Sequence, residues 1–276
     1  MAVTERGEAT RPGAAGPAAR GAAAVVATRL LALGRAEATL LKRNKTALYV
    51  ALLMPVLMVW AMHSATARLD LEKTGMSANE ASITGAFGFV LLFAVYQNLS
   101  GAFVARREEL VLKRLRTSEA GDAEILAGSA LPAVGVALAQ CVVLVVAGAA
   151  WLHLRVPARP DLLIAGFVLG VVLFVALAAV TATGARTAES AQLLSTPLLL
   201  LSVAGSGVAV PLKVMPDLVA DICELLPMTP VVELMRGGWL GTLGLYETVG
   251  HLATALAWVV IAVFAVRKWF RWESRR

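Results

Sequence analysis

The chain has 276 residues, of which 58% are hydrophobic and 16% charged, with a mean hydropathy of +0.74. A soluble domain carries roughly 45–50% apolar and about 25% charged residues, so the excess apolar surface calls for a bilayer as its solvent. This excludes a disordered chain, a disulfide-stapled secreted domain and a nucleic-acid binder; the net charge of +6 does not change that, because the positive residues are not gathered on one soluble face.

Residues 1–23 are Ala, Gly, Pro, Thr, Arg and Glu with one Val, too little apolar surface to fold, and predict a disordered arm. Residues 24–46 predict an interfacial helix. Val26, Leu30, Leu33, Leu40 and Leu41 share one face, and Arg29, Arg35, Lys42 and Arg43 lie away from its centre. Glu37 interrupts the apolar stripe, which contact with a protein partner explains better than a helix lying on anionic lipid does.

A membrane domain over 47–270 follows, with six runs free of Asp, Glu, Lys and Arg at 47–63, 83–104, 125–153, 162–185, 193–212 and 248–266. The shortest, at 1.5 Å per residue, is roughly 26 Å long, just enough to cross the hydrocarbon layer. One central charge would cost about 2.5–3.5 kcal/mol, so the gaps in charge are informative. The first run resembles a secretory signal, with Lys42, Arg43 and Lys45 before it, but five runs follow, so an uncleaved span is expected. If the N-terminus lies inside, 19 of the 25 lysines and arginines fall in inside segments, including the 271–276 tail, and six fall outside. Both termini are therefore expected in the cytoplasm.

Inside the spans, Gln97 and Asn98 lie in the second, Gln140 in the third, and Thr181 and Thr183 in the fourth, where Gly166 and Gly170 form a GxxxG. Helix packing and interhelical hydrogen bonds are the first reading; a polar lining for a substrate path is the second. His63, His153 and His251 all stand at span ends. With no acid or base at depth, the energy for transport is expected from elsewhere. Cys141 reads as an apolar filler and Cys223 as a loop thiol.

The loop 105–124 carries Arg107, Glu108, Glu109, Leu112, Lys113, Arg114 and Leu115. Glu109 and Lys113 are an i,i+4 pair in the favourable order. The two leucines on so charged a helix are not explained by a solvated positive-inside loop. The segment 213–247 predicts an outer helical hairpin. Pro216 starts a helix with Leu218, Ile222, Leu225 and Leu226 on one face, and Pro227 ends it; Thr229 caps and Pro230 starts a second helix, which ends near Gly241. Glu233 and Arg236, three apart, can pair on one face.

Three segments carry a family resemblance: Leu41-Lys42-Arg43-Asn44-Lys45 before a first span containing Pro55; Arg107-Glu108-Glu109 with Leu112-Lys113-Arg114-Leu115-Arg116; and Pro211-Leu212 through Leu226-Pro227-Met228-Thr229-Pro230. In their order and topology the chain resembles the permease of a bacterial type-2 ATP-binding-cassette exporter, the group that includes drug and polysaccharide exporters. The resemblance implies an all-α integral membrane protein of six transmembrane helices in the bacterial cytoplasmic membrane. It implies pairing with a second permease copy, as a homodimer or heterodimer, around a path for an amphiphile that is drug-like, lipid-like or a glycan. A separate cytoplasmic ATPase would dock on the N-terminal helix at Glu37 and on the loop at Arg107, Glu108, Glu109, Leu112, Lys113, Arg114 and Leu115. Two short outer helices would re-enter the membrane around Pro216, Pro227, Thr229, Pro230, Glu233 and Arg236.

The chain has no G-x-x-x-x-G-K-[ST], so it binds no cofactor of its own on this reading, and ATP and magnesium belong to the partner. It has no H-E-x-x-H and no G-x-S-x-G, which disfavours a membrane hydrolase or transferase. The charge-free spans disfavour an ion-coupled secondary carrier. The sequence leaves a non-transporting scaffold or sensor open.

Overall fold

The computed structural model describes Leu53, Leu57 and residues 59–64, 76–109, 122–151 and 156–270. The expected arm 1–23, the helix 24–46, most of the first span, residues 110–121 and the tail 271–276 lie outside the described residues. Among the described residues there is helix and no strand, so the chain is an all-α membrane protein.

Helix α1 runs Ala78–Glu108, with a π-helical stretch at Leu91–Gln97. Ser77 caps it: its hydroxyl accepts from Glu80 N, and the Glu80 carboxylate returns to Ser77 N at 2.9 Å. Helix α2 is Asp122–Trp151, with Asp122 and Glu124 in its first turn, where carboxylates suit the helix dipole. Helix α3, Pro160–Gly184, opens on a proline whose missing N–H is not needed there. Helix α4 is Ala188–Gly205, started by a Thr187–Ser190 capping box. Two short helices follow, α5 at Asp217–Glu224 and α6 at Thr229–Leu240, and then α7 at Leu245–Trp269. Four of these, α1, α2, α3 and α7, are long and apolar enough to cross a membrane.

The run 193–212 was expected to be one span. The helix instead starts at Ala188 and stops at Gly205, and the chain continues as irregular backbone with a single 3-10 turn at Leu212–Val214. Gly207 stands at φ +72°, which favours glycine and ends the helix, and Pro211 follows.

The guanidinium of Arg107, near the end of α1, donates to Ala182 O at 3.0 Å and Ala185 O at 2.5 Å, at the end of α3. Leu162 of α3 and Ala255 of α7 share a small cluster with Leu234, and further along both helices Val175 and Ala179 of α3 line one cavity with Val263 and Val266 of α7. Helices α1, α3 and α7 thus begin at one end, here called the upper end, and finish at the lower end. Their core packs Phe87, Leu91, Tyr96, Phe103 and Phe174 with Val231 and Met235 of α6. Because lipid tails are as apolar as these side chains, close fit rather than water exclusion has to hold the helices together.

Candidate functional site

The two proline-bracketed helices do not lie on top of the bundle. Gly170 is ten residues into α3, roughly 15 Å below its start, and a Cβ there would stand 2.8 Å from Val231 Cγ1 at the start of α6. Higher on α3, a Cβ at Gly166 would meet Met235 Cγ at 2.8 Å. At the top, Arg159 N donates to Gly238 O at 2.8 Å and Ala158 N to Trp239 O at 3.1 Å. Helix α6 therefore starts near the middle of α3 and climbs antiparallel to it back to the upper end.

The turn before α6 sits at the same depth. A Cβ at Gly88, ten residues into α1, would lie 3.0 Å from Met228 Cε. Trp258, roughly 20 Å into α7, donates its indole N–H to Leu225 O at 3.2 Å. Pro227, Met228, Thr229 and Pro230 are all buried, as irregular backbone at this depth must be to keep clear of lipid. Thr229 is the first residue of α6 rather than its cap, and its hydroxyl donates to Cys223 O at 2.5 Å, tying the end of α5 to the start of α6. Cys223, expected in a loop, is buried in α5 beside Gly205. Leu218 and Ile222 of α5 and Leu225 just after it face outward and are 60–74% exposed. Pro216 precedes the first residue of α5.

Glu233 and Arg236 form an ion pair on α6, with side chains 18% and 5% exposed. Arg236 also donates to Gly207 O, and a Cβ at Gly207 would come within 3.1 Å of its Nη1. The glycine that ends α4 thus also admits the guanidinium. One buried pair welds the irregular 206–216 stretch to the returning helix. A cavity of about 400 Å³ opens here between α6, the 3-10 turn and the first turns of α7, and Lys213, Glu224, Glu233, Arg236, Glu247 and His251 are among its lining residues. The six charge-free runs hold no acid at depth, and it is the hairpin, expected to re-enter, that carries Glu224 and Glu233 down beside them. Prolines at both ends of a short apolar helix were the available signal.

The five polar residues named within the spans separate into two groups. Tyr96 and Thr181 share a 3.0 Å hydrogen bond between α1 and α3. Thr183 donates back to Ala179 O of its own helix, and Gln140 is buried on α2. These three work inside the bundle. Gln97 and Asn98, at the end of the π-helical stretch, lie on an open face: Asn98 is exposed, and half-buried Gln97 accepts from Ser195 Oγ of α4 at 2.6 Å. A π-helical turn re-aims the side chains that follow it and often marks a functional segment. Sequence periodicity gave no sign of it.

Of the residues named for coupling, Arg107 points inward onto the α3 carbonyls, while Glu108 and Glu109 are exposed at the lower end of α1. Glu37, Leu112, Lys113, Arg114 and Leu115 lie outside the described residues.

No curated protein matches the chain. The family model of the ABC-2 type transporter matches residues 28–240, from ahead of the first span to the end of α6. The match takes in the re-entrant hairpin and most of the 276 residues. The chain therefore belongs to the ABC-2 type transporter family, as a multi-pass, non-catalytic transmembrane permease of an ABC transporter.

Proposed function

We propose that the chain is the permease half of an ATP-driven exporter of an amphiphile, drug-like, lipid-like or a glycan. It crosses the bacterial cytoplasmic membrane six times with both termini in the cytoplasm. Two copies meet along the open face of α1 and α4 and enclose the path between them. The observation that carries this is the outward polar face of α1 at mid-length, Gln97 and Asn98 beside exposed Phe93, next to a helix that is covered on one side only. On α4 a single stripe of Ala191, Ser195, Leu199 and Ser202 is buried, while Leu193, Leu194, Leu200 and Leu201 are 50–75% exposed. An amide at membrane depth is poorly placed against lipid but well placed along a watery path.

A separate ATPase supplies the energy, binding ATP and magnesium, and docks on the helix 24–46 and on the lower end of α1 with the loop that follows. The α5–α6 hairpin closes the path from the outer side. The 19-to-6 split of lysines and arginines supports the orientation. The test is reconstitution of the permease in vesicles with and without a candidate ATPase from the same gene neighbourhood. ATP-dependent movement of an amphiphile only when both are present is the expected result; hydrolysis or transport by the permease alone would overturn it.

A further inference from the structure

A second cavity, of about 630 Å³, lies toward the lower end of the bundle between α2, α3 and α7. Its size falls within the ~300–1,000 Å³ range of small-ligand sites. The walls are apolar and within reach of a ligand. Ala127, Leu131 and Val134 of α2, Val172 and Val175 of α3 and Val263 of α7 line it, and each is exposed or half-buried. On α2 the lining runs from Asp122 to Val134, roughly 18 Å of helix at 1.5 Å per residue. Half of the ~30 Å hydrocarbon layer belongs to one leaflet, so the groove reaches from the headgroup level to about the membrane centre. An apolar slot one leaflet deep has the shape of an acyl chain.

The mouth of the groove supplies the polar end. Arg267, in the last turn of α7, lines the cavity, is exposed and makes no ion pair among the described residues. Next to it, Lys268 lies 5.8 Å from the ring centroids of Phe264 and Trp269. A basic and aromatic helix end of this kind sits where lipid headgroups lie. The planar fork of a guanidinium matches a phosphate. Asp122 also lines the groove, at the start of α2, and keeps the phosphate to the α7 side.

We propose that this groove holds one phospholipid of the lower leaflet, with an acyl chain between α2 and the α3–α7 pair and its phosphate on Arg267. The proposal draws on the permease reading only to name that leaflet the cytoplasmic one.

The test uses the purified full chain without an ATPase, so a negative result leaves the permease reading standing. Native mass spectra are recorded with equimolar phosphatidylglycerol and diacylglycerol of matched chains. The phosphate-bearing lipid should be retained roughly tenfold more. Arg267→Gln should remove most of that preference. Arg186→Gln, at an exposed position just after α3 and outside the cavity, should keep it. Ala127→Trp, also at an exposed position, should fill the groove and lower retention of both lipids. Equal retention of the two lipids by the wild-type chain would overturn the proposal. So would an equal loss of preference in Arg186→Gln and Arg267→Gln, the sign of lipid bound all around the bundle. Oxidative dimer formation through Val172→Cys, in a protein without Cys141 and Cys223, would give the groove to a second copy and overturn it as well.

Discussion

Gly170 on α3 and Val231 on α6 are packed so closely that a methyl group at 170 would lie 2.8 Å from Val231 Cγ1 and 2.7 Å from Leu91 Cδ1. The seat of the re-entrant helix is therefore built on the absence of one side chain. Gly170→Ala should lower stability by about 1–3 kcal/mol through overpacking. Gly170→Leu should lower it further. Gly135 on α2 has open space around its Cα, so Gly135→Ala should be neutral or stabilising by up to about 1 kcal/mol. Thermal aggregation followed by size-exclusion fluorescence in detergent checks all three. Equal melting temperatures for Gly170→Leu and wild type would mean that α6 does not pack there.

The Glu233–Arg236 pair is buried enough that removing one member leaves a charge without its partner. Arg236→Met or Glu233→Gln alone should cost about 3–5 kcal/mol, nearer the lower figure because the cavity admits water. The double change should recover part of that loss, although Gly207 O loses its donor whenever Arg236 is replaced. A double-mutant cycle on melting temperature reads the coupling. Strict additivity would show that the two side chains act independently.

Four of the six charge-free runs coincide with the four described helices long enough to cross a membrane, because a bilayer penalises every charge, whatever the fold. The hairpin was also legible in part: Pro216, Pro227 and Pro230 fixed where its helices start and stop, and the spacing of Glu233 and Arg236 allowed their pair. The end of α4 was not. Residues 206–212 are as apolar as a span, and hydropathy cannot tell helix from irregular backbone enclosed by protein. The Gly166–Gly170 motif announced a close approach without naming its partner, which proved to be the re-entrant helix at both glycines, joined at Gly170 by Leu91 of α1. Which face of α1 lies open depends on the π-helical stretch, which changes the residue angle partway along the helix and so defeats any fixed period.

Arg107 and its neighbours separate a structural role from a docking one. Two charged hydrogen bonds of about 1.5–3 kcal/mol each hold Arg107 to Ala182 O and Ala185 O. Arg107→Ala should therefore lower the melting temperature, and Arg107→Lys should restore it only in part, since one ammonium lacks the planar fork that reaches both carbonyls. Glu108→Ala and Glu109→Ala, at exposed positions, should leave stability within about 0.5 kcal/mol while reducing co-purification of the ATPase. Undiminished co-purification in a Glu108→Ala/Glu109→Ala protein would remove this end of α1 from the docking surface.

Orientation has a direct chemical readout. Cys223 is buried and Cys141 half-buried in the bundle, so a Cys141→Ala/Cys223→Ala background should fold normally. A cysteine at exposed Thr242, in the upper α6–α7 loop, should react with a membrane-impermeant maleimide in intact cells. A cysteine at Ser118 should react only after the cells are opened. Labelling of Ser118→Cys in intact cells would reverse the topology.

The open face of α1 and α4 makes the most specific demand on assembly. If two copies meet there, the isolated chain exposes what the pair covers: Phe93 and Asn98 on α1, and Leu193, Leu200 and Leu201 on α4. Related by a two-fold axis, a residue near the centre of the interface faces its own copy or the next turn. Single cysteines at Leu193, Thr196, Leu200 and Leu201 in the cysteine-free background should therefore form dimers with a copper–phenanthroline oxidant, strongest at positions one helical turn apart. Cysteines on the exposed face of α7, at Val260 or Phe264, should not. Asn98→Leu should leave cross-linking intact, because it keeps the shape of the interface, but should reduce export by removing an exposed amide from the middle of α1. Cross-linking through α7 in place of α4 would place the partner on the opposite side of the bundle, and Asn98 would then face lipid instead of a path.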